Sequence, residues 1–230
     1  MTVEADRIRQ NLAKVRLRME NACRKAGRTN TSVILVAVTK TVDVDAVRIL
    51  NSCGVKDFGE NRVPELVRKA TELAGLGATW HMIGHLQRNK AKDLLGHSRM
   101  LHSVESVELA EVLSRRAAGS GLEVEVLIEV NVAGEESKYG ITPAGAGALA
   151  EKVAALPSLR LRGLMTMAPI VADPEAVRPV FARLRELAAE LSGSLPPGAM
   201  GELSMGMTQD FEVAIEEGAT MVRIGSALFA

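Results

Sequence analysis

Apolar and polar residues follow two different patterns along this chain. In the first pattern, near the N-terminus, apolar residues recur every three or four positions, which is the spacing of one helix face. Those residues are Ile8, Leu12, Val15, Met19 and Ala22. Gly27 follows them and predicts the end of a helix. We therefore expect residues 1–27 to form an amphipathic N-terminal helix.

After residue 30 the pattern changes and then repeats to the end of the chain. Short runs of apolar, often β-branched residues alternate with longer amphipathic stretches. The predicted strands cover 33–38, 55–58, 79–83, 99–102, 123–131, 160–165, 199–204 and 220–224. The predicted helices cover 43–52, 62–74, 88–95, 106–118, 143–156, 174–191 and 208–217. Alternation of this kind predicts a parallel sheet with helices on its outside.

The number of these units indicates how the sheet is arranged. Each of eight units has about 25 residues, which suffices for a strand, a helix and two tight loops. We therefore predict an α/β fold, a single (β/α)8 TIM-type barrel domain over residues 1–230. The N-terminal helix of residues 1–27 is expected to pack where an eighth helix is missing. An open, doubly wound sheet is the alternative, although no Gly-x-Gly-x-x-Gly motif follows the first strand.

Composition excludes several classes of protein. Lys+Arg and Asp+Glu are 28 each, and the only aromatic residues are four Phe, one Trp and one Tyr, so we expect no nucleic-acid partner. The apolar run 33–38 is too short to cross a bilayer, and the N-terminus has no hydrophobic signal core. Cys23 and Cys53 lie in no metal or redox motif and are expected to be reduced. These features predict a cytoplasmic protein without a membrane partner.

Lys40 is the first candidate for chemistry, because active sites of such barrels lie at the C-terminal ends of the strands. It follows the apolar run 33–38, so we expect its stem to lie against the barrel interior. An amine held there loses hydration and becomes a usable nucleophile toward carbonyl compounds. The alternative is a lysine at the strand end whose ammonium stays in water.

The loops after strands 7 and 8 have the composition of a phosphate site. In these barrels the loops after the last two strands commonly bind phosphate through backbone N–H groups. The residues there are Ser204, Met205, Gly206 and Met207, then Arg223, Ile224, Gly225 and Ser226. Ordinary turn chemistry is the alternative for either loop alone. Both loops together with Lys40 indicate a phosphorylated carbonyl ligand.

Other polar and sulfur-containing side chains give weaker signals. His81 and His85 are four residues apart but lack a His-Glu-x-x-His motif, so a zinc site is not expected. Tyr139 follows strand 5, and we favour an exposed amphipathic side chain there over an acid–base group. Met165, Met167, Met205 and Met207 are interpreted as packing at the barrel rim.

Seven stretches together resemble the pyridoxal phosphate homeostasis protein family, in order from about residue 30 to the C-terminus. They are LVAVTKT (35–41), FGENRVPEL (58–66), WHMIGHLQRNK (80–90), HSVES (102–106), LIEVNVAGEESKYG (127–140), LRGLMTMAP (161–169) and LSMGMTQDFEVAIEEGATMVRIGSALF (203–229). The resemblance implies a barrel like the N-terminal domain of alanine racemase. It also implies pyridoxal 5′-phosphate bound as an internal aldimine on Lys40.

The resemblance further assigns roles around that cofactor. It implies that Ser204, Gly225 and Ser226 hold the phosphate and that Arg223 faces the pyridine nitrogen. The other implied cofactor-binding residues are Asn61, His81, Met205, Gly206 and Ile224. Ser226 stands where the family often has Thr, which keeps the hydroxyl. Lys138-Tyr139-Gly140 stands where the family often has KSG or KHG, and it places a phenol near the mouth of the barrel.

The implied function is intracellular pyridoxal phosphate homeostasis by a monomer with little or no turnover. PLP-dependent apo-enzymes are the implied partners. A guanidinium at Arg223 cannot take the pyridine proton, and the second domain that supplies a base in racemases is not expected here. An amino-acid racemase using Lys40 with Tyr139 or His81 is one alternative. An aldolase-type barrel in which Lys40 binds a sugar phosphate directly is another.

Overall fold

A computed structural model describes residues 3–29, 32–135 and 139–230, and its centre is a closed barrel of eight parallel strands. The strands are β1 Ile34–Val38, β2 Asp57–Glu60, β3 Thr79–Met82, β4 Met100–Val104, β5 Val124–Glu129, β6 Leu159–Met165, β7 Glu202–Ser204 and β8 Met221–Ile224. Each strand pairs with the next in the chain, and β8 pairs with β1 to close the ring. The predicted (β/α)8 barrel is confirmed, and the open sheet is excluded.

Helices cover the outside of the barrel. They are α1 Val3–Lys25, α2 Val44–Ser52, α3 Val63–Glu72, α4 Ala91–Leu94, α5 Val107–Gly119, α6 Pro143–Ala155, α7 Arg178–Ser192, α8 Phe211–Glu216 and α9 Ser226–Phe229. Asp43 and Ser106 cap α2 and α5 through their side-chain oxygens, as short polar residues do at helix starts. Among the described residues, no helix is both long enough and apolar enough to cross a membrane.

The N-terminal helix α1 packs on the barrel where the strand order closes. Its apolar stripe is buried, and the helix contacts α8, α9 and α2. The helix that follows β8, α9, has only four residues, so without α1 the outer face between β8 and β1 would lack a full helix. In this structure α1 therefore covers that part of the outer face.

The barrel interior is apolar at mid-height and polar toward the mouth. The apolar layer is formed by Val36, Met100, Leu127, Met165 and Met221. Met165 therefore belongs to the interior and Met205 is fully buried in the outer core, so their predicted rim packing is wrong. Met167 and Met207 are half-buried.

Several strand boundaries differ from those predicted. The strand predicted at 55–58 is Asp57–Glu60, so Gly59 and Glu60 belong to β2 and not to the loop after it. The strand predicted at 99–102 continues to Val104, whereas the one predicted at 123–131 ends at Glu129. Gly and Glu have low strand propensity, and here pairing with β1 and β3 overrides it.

Candidate active site at the barrel mouth

Lys40 lies in the turn after β1 and is exposed. The expectation that its stem is buried against the barrel interior is wrong. The chain leaves β1 at Val38, and Thr39 is the fully buried polar residue at that strand end. Lys40 follows one residue later at the open mouth, where its amine is accessible from solvent.

A buried ion pair supports the turn that carries Lys40. The Lys69 Nζ donates to Glu60 Oε1 at 2.7 Å and to the carbonyl oxygens of Thr39 and Val42 at 2.7 and 2.8 Å. The Thr39 hydroxyl also donates to Glu60 Oε1, at 2.6 Å. A buried charge is tolerated when it is paired and hydrogen-bonded in this way. The pair thus fixes the backbone on both sides of Lys40.

The loops after β7 and β8 lie next to that turn. Ile224 pairs with Ala37 of β1, which brings Gly225 and Ser226 beside the chain that leads to Lys40. The backbone N–H of Arg223 donates to the backbone carbonyl of Gly206 at 2.9 Å, so the end of β8 also contacts the loop after β7. The two loops and the Lys40 turn therefore form one continuous arc of the mouth.

This arc has free backbone donors. Gly206 is buried, yet within the described parts of the chain its N–H donates to no acceptor. The N–H groups of the half-buried Gly225 and the exposed Ser226 also donate to no acceptor among the described residues. Buried backbone N–H groups are rarely left unpaired in folded proteins, and an anion supplies the acceptors they lack. The donor set therefore fits a phosphate group.

Arg223 and Ser204 lie deeper, inside the barrel. The Arg223 guanidinium donates to the Ser204 hydroxyl at 2.6 Å and to the Thr166 carbonyl at 2.9 Å. Burial lowers the pKa of Arg223 to about 10, against the raising effects of Glu129 and Asp210. Arg223 thus stays cationic at neutral pH. Ser204 is fully buried, and its direct contact with phosphate stays a prediction.

His81 and His102 lie behind Ser204. His102 Nδ1 is 2.9 Å from the Ser204 hydroxyl, and His102 Nε2 is 2.9 Å from His81 Nδ1. His81 Nε2 is in turn 3.0 Å from Asp57 Oδ1. Both His81 nitrogens are therefore engaged within the barrel, which makes His81 a poor opposing base. A direct contact of His81 with a cofactor also stays a prediction.

The remaining predicted residues have varied positions. Asn61 is exposed immediately after β2, and its backbone lies so close to Gly84 that a Cβ there would be 2.5 Å from the Asn61 carbonyl oxygen. Met205 and Ile224 are fully buried, which indicates that they support the site by packing beside it. Their predicted contacts with a cofactor are not tested by the geometry.

The opposite side of the mouth has a second group of polar residues. The His85 Nδ1 is 3.0 Å from Glu105 Oε1, and the His85 ring stacks on Tyr139 with centroids 4.4 Å apart. Tyr139 is 56% exposed, as expected for an amphipathic surface side chain. Lys138, which precedes it, lies outside the described residues. Burial and then the nearby Glu105 raise the pKa of Glu129, at the end of β5, to about 7.

Sequence reasoning missed the residues that support the site from behind. Lys69 resembles an ordinary surface lysine in helix α3, although it is 1% exposed. Its position three residues after Leu66, on the apolar side of α3, was the only available signal. Asp57 and Glu129 are also absent from the predicted set, because their partners come from other strands.

The comparisons with known proteins agree with this geometry. The lysine turn and the two glycine- and hydroxyl-containing loops on a closed barrel define a barrel of the alanine racemase type. The family described as "Alanine racemase, N-terminal domain" matches residues 3–230. An alanine racemase from Clostridium difficile has the same fold, with a TM-score of 0.78 at 16% identity over 97% of this chain and 59% of the racemase.

More similar proteins define the family. A pyridoxal phosphate homeostasis protein from Aquifex aeolicus is 45% identical over 220 residues, 96% of each chain. One from Pseudomonas aeruginosa is 45% identical over 222 residues, 96% of this chain and 94% of the relative. The chain belongs to the family of pyridoxal phosphate homeostasis proteins, which confirms the resemblance found in the sequence.

One solved relative has a ligand. The structure of PipY from Synechococcus elongatus with PLP bound has a TM-score of 0.84 at 36% identity, covering 97% of this chain and all of PipY. A structure from Bifidobacterium adolescentis has a TM-score of 0.93 at 39% identity, covering 100% of this chain and 97% of that protein.

Proposed function

We propose that this protein binds pyridoxal 5′-phosphate at the mouth of its barrel and serves pyridoxal phosphate homeostasis, with little or no catalytic turnover. The observation that carries the proposal is the arc of unpaired N–H groups at Gly206, Gly225 and Ser226 beside the exposed Lys40. The names of the relatives and the PLP in PipY support the same ligand.

Each residue of the arc has a stated task in this proposal. The three N–H groups and the Ser226 hydroxyl hold the phosphate. The Lys40 Nζ would hold the aldehyde by condensing with it, with loss of water, to a Schiff base, and Arg223 would face the pyridine nitrogen as a hydrogen-bond donor. Bound pyridoxal phosphate supplies an electron-accepting ring, which is strongest when its nitrogen is protonated. A guanidinium accepts no proton, so Arg223 does not help to protonate that nitrogen.

This arrangement supports a carrier more than a racemase. Racemisation needs a second acid–base group on the face of the substrate opposite the lysine. His81 has both nitrogens engaged inside the barrel, and Tyr139 stacks on His85. We propose a cytoplasmic monomer that makes the cofactor available to PLP-dependent apo-enzymes. An amino-acid racemase remains the second candidate, because the pKa of Glu129 lies at about 7.

Visible absorption of the purified protein tests the attachment. Wild type incubated with pyridoxal phosphate should turn yellow, and borohydride should add a stable mass to the peptide that contains Lys40. Lys40→Ala should lose both signals, whereas Lys56→Ala, exposed at the other end of the barrel, should keep them. A colourless wild type would overturn the cofactor assignment and favour the aldolase-type alternative.

Deuterium exchange separates carrier from racemase. The loaded protein should leave the α-hydrogens of all twenty amino acids unexchanged in heavy water over hours. Rapid exchange of any one amino acid that disappears in Lys40→Ala would identify an enzyme.

A further inference from the structure

Five side chains form a hydrogen-bonded series through the inside of the barrel, which we call the interior relay: Asp57, His81, His102, Ser204 and Arg223. The four successive contacts measure 3.0, 2.9, 2.9 and 2.6 Å. The last four side chains are almost fully buried. Asp57, the first residue of β2, lines a cleft of about 250 Å³ at the floor of the barrel. The relay thus joins the floor to the residue proposed to face the cofactor.

When both histidines are neutral, the chemistry of the two ends fixes every proton between them. A guanidinium only donates, so the Ser204 oxygen accepts from Arg223, and the single hydroxyl proton of Ser204 is given to His102 Nδ1. Neutral His102 then has its proton on Nε2 and donates it to His81 Nδ1. His81 in turn has its proton on Nε2 and donates it to the Asp57 carboxylate, which only accepts. All four hydrogen bonds therefore run in one direction, from Arg223 to Asp57.

This order depends on the charge of His81. A second proton on His81 would move the His102 proton from Nε2 to Nδ1 and reverse the series. Burial, and then the charges of His81 and Arg223, hold the pKa of His102 well below its usual range. The interior layer beside the histidines is apolar, Glu129 and Thr166 are buried polar residues on neighbouring strands, and Glu125, Arg162 and Glu202 form ion pairs on β5, β6 and β7. At neutral pH His102 is thus neutral.

We propose that His81 and His102 are positioning residues for Arg223. They hold the Ser204 hydroxyl in the one orientation that accepts from Arg223 Nη1, while the Thr166 carbonyl accepts from Nη2 at 2.9 Å. The guanidinium is thereby fixed on two sides. In this order the Ser204 hydroxyl donates its proton to His102. The hydroxyl therefore does not donate to the phosphate, which is bound by the backbone N–H groups at the mouth. The last statement rests on the proposed function, whereas the proton order is a property of the protein alone.

Histidine tautomers measured by long-range ¹H–¹⁵N NMR test the relay in the full-length protein before pyridoxal phosphate is added. The chain has four histidines, and His85 and His97, outside the relay, serve as internal references. We expect His81 and His102 to be neutral at pH 7 with the proton on Nε2. An Nδ1-protonated or doubly protonated ring at either position would overturn the relay.

Two variants of Ser204 test the positioning. Ser204→Ala removes the hydroxyl that joins His102 to Arg223, so His102 should populate a second tautomer. The Arg223 guanidinium should rotate about tenfold faster, which corresponds to the loss of one hydrogen bond of about 1.4 kcal/mol. Ser204→Thr keeps the hydroxyl and should keep both wild-type signals. Unchanged tautomers and rotation in a folded Ser204→Ala protein would overturn the positioning role.

The ³¹P resonance of bound pyridoxal phosphate tests the consequence for the ligand. Ser204→Ala should leave this resonance unmoved, and Ser226→Ala should move it. A shift of the ³¹P resonance in Ser204→Ala would show that Ser204 contacts the phosphate. It would overturn the inference that the Ser204 hydroxyl donates to His102 instead. A wild type that shows the expected tautomers but binds no pyridoxal phosphate would overturn the proposed function and leave the relay intact.

Discussion

Glu129 illustrates how the barrel changes the chemistry of a single residue. This residue is 3% exposed at the end of β5, near Glu105 and Arg223. Burial, and then the charge of Glu105, raise its pKa from 4.5 to about 7, while Arg223 opposes the rise. The folded state therefore prefers the protonated form, and ionisation of Glu129 weakens folding.

The sign of this effect gives a pH-dependent prediction. The stability contributed by protonated Glu129 is fully present below pH 4.5 and is lost as the pH rises through about 7. Glu129→Gln should match wild type near pH 4 and exceed it by about 3 kcal/mol at pH 8, from a shift of about 2.5 pKa units. Urea unfolding at a series of pH values measures the difference. Glu108→Gln, exposed on α5, should show no such trend, and a flat profile for Glu129→Gln would contradict the prediction.

At the scale of elements, the contact of α3 with β2 and the turn after β1 organises the proposed lysine site. Lys69 comes from a helix on the outside of the barrel, yet its ammonium reaches Glu60 and two carbonyls of the turn beside Lys40. Glu60 Oε2 is also buried and, among the described residues, has no hydrogen-bond partner. The pair is therefore sensitive to the loss of either member.

Lys69→Met should destabilise the protein by about 3–5 kcal/mol, because it leaves the Glu60 carboxylate buried and unpaired. The double variant Lys69→Met/Glu60→Gln should recover part of that loss. Arg68→Met is the matched control, since Arg68 is on the same helix and its ion pairs are exposed, worth about 0–1 kcal/mol. Urea unfolding measures all three, and equal effects of Lys69→Met and Arg68→Met would refute the interpretation.

At the scale of the whole molecule, α1 closes the outer layer where the barrel begins and ends. Helix α1 contacts α2 near the start of the chain and α8 and α9 near the end of the chain. It therefore connects parts of the outer layer that are distant in sequence. Its buried side chains contribute to the same apolar core as the helices around the barrel.

Leu12→Ala should therefore lower the free energy of unfolding by about 2–5 kcal/mol, the range for a buried leucine in a packed core. Leu17→Ala is the control on the same helix, because Leu17 is 56% exposed and Leu12 is 2% exposed. Leu17→Ala should change stability by less than about 0.5 kcal/mol. Similar losses in the two variants would show that α1 does not close the barrel through its apolar stripe.

The periodicity of the sequence by itself determined the fold of this protein. Within each strand–helix unit, the spacing of the apolar residues indicates which positions are buried. The eight strands, their order and the role of α1 therefore followed from local patterns. The ends of β2, β4 and β5 did not, because pairing with neighbouring strands places Gly59, Glu60 and Ser103 within strands.

The candidate site divides in the same way. Lys40 and the loops after β7 and β8 were predictable, because every parallel strand delivers its C-terminal residues to the same end of the barrel. Only the tertiary structure decided that Lys40 is exposed, that Lys69 supports its turn and that His81 and Ser204 belong to the interior relay. Those contacts join residues from different strands and helices, and no local pattern encodes which side chains meet across the inside of a closed barrel.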